Sequence, residues 1–175
     1  MNEKYISILS LRASGYVTRW HTIQTLGNDQ SDAEHSAQAL VLLFGLHPDP
    51  SVQLIKALLY HDLAEREVGD VPAPVRRANK AFSDAYEEAE NDFFTRHGMA
   101  SLIESLTETE FRWLKAIDCL ELWLYCRDQV FLGNGHFSII QDRAYQYLMG
   151  SGSNSPGEVR AFVYNIEQIP YRSFA

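Results

Sequence analysis

Long apolar runs are missing from this sequence. No stretch approaches the roughly 20 residues that a membrane-spanning helix needs, so no membrane partner is expected. The opening MNEKYISILSLRASG is amphipathic. It has neither a continuous apolar core nor a small-residue cleavage site, and it reads as a first helix, not a signal peptide. Cysteine is scarce as well. Cys119 and Cys126 lie in one helical segment, about 10 Å apart along its axis, too far to form a disulfide. Free thiols of this kind suit a reducing cytoplasm. Basic residues are outnumbered, 15 Lys and Arg against 23 Asp and Glu, for a net charge of −8. That balance disfavours sequence-independent nucleic-acid binding, although a few clustered cations can still hold a small anion. Runs of alternating polarity, internal repeats and low-complexity tracts are absent too, which argues against sheets and solenoids.

What is present is helical patterning nearly throughout. The 175 residues, 46% of them hydrophobic, fit one domain spanning 1–175. Three segments open with a hydroxyl cap followed three residues later by Glu: Ser31/Glu34, Thr107/Glu110 and Ser155/Glu158, the last with Pro156 at the favoured first position. Segment 32–45 offers Ala37, Leu40, Val41 and Phe44 as its core face. Segment 51–66 offers Val52, Ile55, Leu58 and Leu59. Segment 83–97 is charged and stops at Gly98. Segment 107–131 carries Phe111, Leu114, Ile117, Leu120 and Leu124, and a final pair of helices runs near 136–149 and 156–167. Loops fall at 15–30, 67–74 and 150–154, and the closing IPYRSFA reads as irregular. The expected class is all-α.

Within this pattern LLYHDLAE at 58–65 stands out. A His-Asp pair inside an apolar helix is costly to bury, and a hydrogen-bonded core pair is the plain explanation. Three features point elsewhere. His35 begins an earlier helix. Asp118 interrupts the hydrophobic FRWLKAIDCLELW, where a carboxylate needs a partner or a metal. Glu65 lies three residues after Asp62 and four after His61, which would crowd all three onto one face of one helix. Two imidazoles and two carboxylates from three helices make a mixed N/O ligand set. Such a set suits Zn, Co, Mn or Fe, one ion or more. A metal of this type polarises a phosphoryl oxygen and lowers the pKa of a water.

The order H…HD…D resembles the HD-domain phosphohydrolases, over roughly Arg19 to Asp118. Arg19-Trp20, SDAEHS, YHDLAE and GDVPAPVR further resemble the small HD-domain 5′-deoxynucleotidases of bacteria. They also resemble short phage HD proteins that hydrolyse dATP to deoxyadenosine and triphosphate in phages whose genomes carry 2-aminoadenine. The resemblance implies a single HD helical bundle in a bacterial or infected-host cytoplasm, forming a homo-oligomer and acting on a small deoxynucleotide. It implies His35, His61, Asp62 and Asp118 as metal ligands and Glu65 for acid/base work or water positioning. Asp70 would be a second carboxylate near the nucleophile or sugar. Arg19 would orient the scissile phosphate, and Trp20 would pack by the sugar. Ala73, Pro74, Val75 and Arg76 fall at the family's substrate-contacting turn. Thr22, Ile23 and His21 are candidates for the base edge; His21 and Thr22 depart from the bacterial pattern. Arg76, Arg77, Lys80 and Lys115 form a denser basic set than a monophosphate requires. They favour a triphosphate, hence dATP, over the alternative of a deoxynucleoside monophosphate. Of the remaining histidines, His47 reads as a surface residue, His97 as a helix-end residue that caps carbonyls or meets the helix dipole, and His136 opens a late helix with no obvious partner.

Overall fold

A computed structural model describes residues 3–169. Its helices are α1 (Glu3–Ser14), α2 (Asp32–Leu46), α3 (Val52–Tyr60), α4 (Glu65–Val68), α5 (Ala73–Ala78), α6 (Lys80–Arg96), α7 (Glu108–Phe131), α8 (Ser138–Met149) and α9 (Gly157–Gln168), with a 3-10 turn at Gly135–Phe137. Among the described residues there is no strand, only an isolated antiparallel bridge between Thr18 and Ser31. No described helix is long and apolar enough to cross a membrane.

The axis of the fold is α7. It runs 24 residues without Gly or Pro, and its start is fixed by Thr107 and Glu110, each bonding the other's backbone N–H. Around it pack α2, α3, α8 and α9, which enclose Leu43, Leu54, Leu58, Leu114, Ile117, Leu120, Trp123, Leu148, Val159 and Val163. A smaller cluster of Leu63, Ala64, Phe93 and Phe94 joins the turn after α3 to α6. The α6 stop is as the sequence suggests. Gly98 is left-handed (φ 72°), and Met99 N–H and Gly98 N–H return to Phe94 O (2.7 Å) and Thr95 O (3.0 Å).

Several expectations change. In α2 the buried face is Asp32, His35, Ser36, Ala39 and Leu43, while Ala37, Val41 and Phe44 face outward. The polar residues turn inward because the site lies on that side, and this displaces the apolar stripe. In α3, Leu54, Ala57 and Leu58 are buried, whereas Val52 and Leu59 are exposed. In α7, Trp113 takes the inward place expected of Phe111, which is exposed. The segment 51–66 is not one helix. It ends at Tyr60 and tightens into i→i+3 bonds, from Leu63 N–H to Tyr60 O and from Glu65 N–H to Asp62 O, before α4 resumes. The Ser155/Glu158 box does not form, since the Ser155 hydroxyl is engaged with Ser153 and α9 starts after Pro156. α6 begins at Lys80, where the Asn79 side chain accepts from Phe82 N–H. The tract VGDVPAP runs into the short helix α5. Of IPYRSFA, residue 169 is a bend and 170–175 lie outside the described residues. Both cysteines are free thiols.

Candidate metal centre

Three helix ends and one helix middle meet on one side of α7. His35, in the first turn of α2, is fully buried. Its Nδ1 bonds the carboxylate of Glu121, itself buried on α7, which leaves Nε2 facing inward with no hydrogen-bond partner. His61 caps the end of α3. Its Nδ1 donates to Leu58 O at 2.7 Å, and again Nε2 is left without a partner. The two orphaned nitrogens converge on Asp118 Oδ1, at 3.3 Å from His35 and 3.5 Å from His61. Asp62 closes the set, with Oδ2 at 3.7 Å from His35 Nε2 and Oδ1 at 3.2 Å from His61 Nε2. The ligand atoms of His35, His61 and Asp118 lie within 4.8 Å of one another.

Whether this set fits a divalent ion is answered by its hydrogen bonds. A buried imidazole nitrogen without a partner is costly, and here two such nitrogens share a focus with two carboxylates. Each ring is tethered through Nδ1, to Glu121 or to Leu58 O, which is how metal-binding histidines are commonly oriented. The electrostatics agree. Burial disfavours charge on His35, yet the carboxylates of Asp118 and Glu121 beside the ring outweigh burial and lift its pKa to about 10. Burial likewise opposes ionisation of Asp118, but the two imidazoles that face it hold it well below the ordinary carboxylate range. Asp62 is also held low, by His61, Arg19 and His35 against its own burial. The pocket calls for positive charge, and a nitrogen–oxygen set of this kind can hold a transition metal.

Beside it lies a second acidic group. Arg19 Nη1 binds Asp62 Oδ2 at 2.6 Å and stands 3.8 Å from Asp32 Oδ1. Asp32, Asp62 and Glu65 each place an oxygen within 4.8 Å of the others. The i→i+3 turn after Tyr60 brings Asp62 and Glu65 together, because residues three apart eclipse in such a turn. Burial, with Asp62, Asp32 and Asp70 nearby, pushes Glu65 up to about 10. Burial and Asp62 push Asp32 up to about 7.

Sequence reasoning passed over Asp32, which reads as a first-turn acid favoured by the helix dipole. It also passed over Glu121, three residues after Asp118, and Gln30. A carboxylate one turn beyond another in a buried stripe was the available signal for Glu121.

The remaining residues are spread more widely. Arg19, Trp20, His21, Thr22 and Ile23 line a cleft of about 430 Å³ with Thr18, Gln24, Thr25, Gly27 and Asp29. Trp20 is left-handed (φ 67°) and stacks on Tyr125 at 5.3 Å with Phe137 at its edge. Asp70 follows Gly69, whose carbonyl accepts from Tyr86 Oη at 2.7 Å, and lies 3.9 Å from His21 Nδ1. Ala73, Pro74, Val75, Arg76 and Arg77 belong to α5. The Arg76 guanidinium lies over the Tyr86 ring and 3.9 Å from Glu90, and Arg77 is exposed. Lys80 does not join a cluster with them: it is exposed and paired with Asp84 at 2.8 Å. Lys115 is exposed, its ammonium 6.0 Å from the Phe111 ring. His97 bonds Ser7 Oγ at 2.7 Å instead of capping carbonyls through its side chain. His47 packs edge-on to Trp113.

Comparison with known proteins extends the picture. The fold is similar to that of the HD phosphohydrolase DatZ of cyanophage S-2L, solved bound to dA and one catalytic Zn2+ ion. That likeness has a TM-score of 0.70 at 20% identity, over 91% of this chain and 94% of that one. It is also similar to the PH0347 protein of Pyrococcus horikoshii OT3, with a TM-score of 0.68 at 17% identity, over 94% and 98%. No curated protein sequence matches the chain. The family model of YfbR-like 5′-deoxynucleotidases matches residues 7–168. The chain therefore belongs to the YfbR-like 5′-deoxynucleotidase family and is a metal-dependent HD-domain phosphohydrolase of deoxynucleotides.

Proposed function

We propose that the chain hydrolyses the 5′-phosphoester of a deoxynucleotide at a divalent transition metal, Zn, Co or Mn, held by His35, His61, Asp62 and Asp118. The leading reading is dATP going to deoxyadenosine and triphosphate. The observation that carries the metal-site reading is the convergence of the two orphaned Nε2 atoms on Asp118 and Asp62. When bound, the metal polarises a phosphoryl oxygen and makes a water more acidic.

The chain's own residues do the rest. Arg19, with Nη1 already against Asp62, offers its remaining guanidinium donors to the α-phosphate and offsets charge on its oxygens. Glu65 handles a proton, positioning the attacking water or supplying the 5′-oxygen as the phosphorus–oxygen bond breaks. Asp70 assists from the Gly69 turn. Trp20, clamped between Tyr125 and Phe137, presents its indole beside the sugar, and Thr22, Ile23 and His21 border the place of the base. Arg76, Arg77 and Lys115 serve the outer phosphates; Lys80 would have to leave Asp84 to do so.

That last point, with the family match, favours a second reading in which the substrate is a deoxynucleoside monophosphate and the product is phosphate. Incubating the metal-loaded protein with dATP, dGTP, dAMP and ATP, with products separated by anion exchange, decides between them. Tripolyphosphate with deoxyadenosine from dATP is the expected result. Phosphate from dAMP with dATP intact establishes the second reading, and no hydrolysis with any metal overturns both.

A further inference from the structure

Behind His35 lies a chain of hydrogen bonds that the reaction outlined above does not use. Glu121 is 3% exposed. One of its oxygens takes His35 Nδ1, and the other accepts from Gln30 Nε2 at 2.7 Å. Gln30 is 5% exposed, and its carbonyl oxygen accepts from Trp20 Nε1 at 3.4 Å. The backbone reinforces the path. Arg19 N–H donates to Gln30 O at 2.9 Å and Asp32 N–H to Val17 O at 3.0 Å, so the turn bearing Arg19 and Trp20 is pinned to the start of α2. An unbroken line thus runs from the inward face of His35, through two buried side chains, to the indole of the cleft.

We propose that Glu121 is a positioning residue. Its carboxylate holds the His35 ring with Nε2 directed at the metal and makes that nitrogen a better donor, and Gln30 fixes Trp20 from the same carboxylate. The inference rests on the metal-site reading above. Its chemistry depends on Glu121 accepting on both sides. A carboxylate accepts only, so it can take His35 Nδ1–H and Gln30 N–H together. Gln30 is then oriented with its carbonyl toward Trp20, whose N–H can only donate. A glutamine at 121 cannot satisfy both neighbours. If its carbonyl serves His35, its amide meets the Gln30 amide, donor against donor. Were Gln30 to turn over, its amide would meet the Trp20 N–H. The negative charge also matters by itself, because a carboxylate behind a metal-bound imidazole raises the basicity of the ligating nitrogen, and losing it typically costs about 10–100-fold in metal affinity.

The polarity of the line provides a control that separates charge from packing. In the double variant Glu121→Gln with Gln30→Glu, the amide now at position 121 accepts from His35 and donates to the carboxylate now at position 30, which in turn accepts from Trp20. Every hydrogen bond along the line from His35 to Trp20 is restored, only the 3.4 Å bond that Gln30 Nε2 donates to Gln38 Oε1 is given up, and the charge stands one residue further from the metal. The test is Zn2+ and Co2+ affinity of the full chain by competition with a chromophoric chelator, together with the visible absorption of the Co2+ form. Circular dichroism serves as the check on folding. Wild-type protein is expected to bind tightly. Both Glu121→Gln and the double variant are expected to bind about 10–100-fold more weakly with shifted Co2+ bands, and the double variant to melt closer to wild type than the single one. Should Glu121→Gln fail to fold, the double variant alone carries the comparison. Wild-type affinity and an unchanged Co2+ spectrum in the folded variants overturn the positioning role and leave the metal site standing. A wild-type chain that binds neither ion overturns the metal site, and this inference with it.

Discussion

Removing one imidazole is the cleanest test at the scale of single residues. His61→Ala deletes an orphaned nitrogen and its tether to Leu58 O. It is expected to abolish metal binding and hydrolysis while far-UV circular dichroism stays near wild type; full activity would remove His61 from the site. Asp62→Ala should also lose metal, but it is a harsher change. It takes from the Arg19 guanidinium, 13% exposed, its 2.6 Å partner and leaves only Asp32 at 3.8 Å. Breaking a buried pair in this way costs about 3–5 kcal/mol, so a lowered melting temperature is expected with Asp62→Ala and not with His61→Ala. Glu65→Gln keeps the shape of the acid cluster but cannot exchange a proton. Metal content should be unchanged and kcat should fall by about 10²–10⁴-fold; an unchanged kcat takes Glu65 out of the chemistry. At this scale His61, Asp62 and Asp118 were legible as candidates because charged or imidazole side chains amid apolar runs demand partners, and His35 joined them through the H…HD…D order that resembles the HD-domain family. Asp32 and Glu121 were not. Each sits beside a residue that already accounts for the local pattern, Asp32 in a helix's first acidic turn and Glu121 in a stripe read for its leucines.

Among the elements, two of the three start signals read from the sequence form as expected, and the third, at Ser155/Glu158, does not. α2 and α7 begin where Ser31/Glu34 and Thr107/Glu110 place them. The end of α3 was not readable, since LLYHDLAE is consistent with continued helix and only the 3-10 turn shows otherwise. The buried face of α2 was misread because the rule that apolar residues turn inward fails where a polar site lies inside. The Thr107/Glu110 cap does more than start α7. Ser51, which caps α3 by accepting from Leu54 N–H, also donates to Glu110 Oε1 at 2.5 Å, so one carboxylate ties two helix N-termini together. Those bonds, first from Ser51 and then from Thr107, hold Glu110 below its ordinary pKa. A depressed carboxylate contributes its stability above the unfolded value, about 4.3, and loses it as pH falls through the lower folded value. Glu110→Gln should therefore lower the melting temperature near neutral pH and make it less sensitive to pH below about 4.3. An acid limb with the wild-type slope would show that the cap contributes nothing through its charge.

For the molecule as a whole, the proposals of one domain over residues 1–175 and of a homo-oligomer have different supports. The first rests on α7 touching helices from both halves of the chain around a shared core. The second rests on what that core leaves out. The same inward turn of Asp32, His35 and Ser36 that builds the site pushes Val41 (72% exposed) and Phe44 (57%) to the surface of α2. On α1, Tyr5, Ile8 and Leu9 are all more than half exposed. Scattered apolar residues need no explanation, but stripes along helices mark places where another surface packs. A second copy of the chain would cover them with the least demand on other partners. Light scattering should then give a mass that is a multiple of 20.0 kDa. Val41→Glu with Phe44→Glu should shift it toward the single-chain mass. Activity per chain should survive in the dissociated form, because His35, His61, Asp62, Asp118, Arg19 and Glu65 all come from one chain. A wild-type mass of 20.0 kDa would remove the oligomer and leave the two stripes without an explanation. A dissociated form that binds metal but does not turn over would mean that a neighbouring copy completes the cleft beside Trp20.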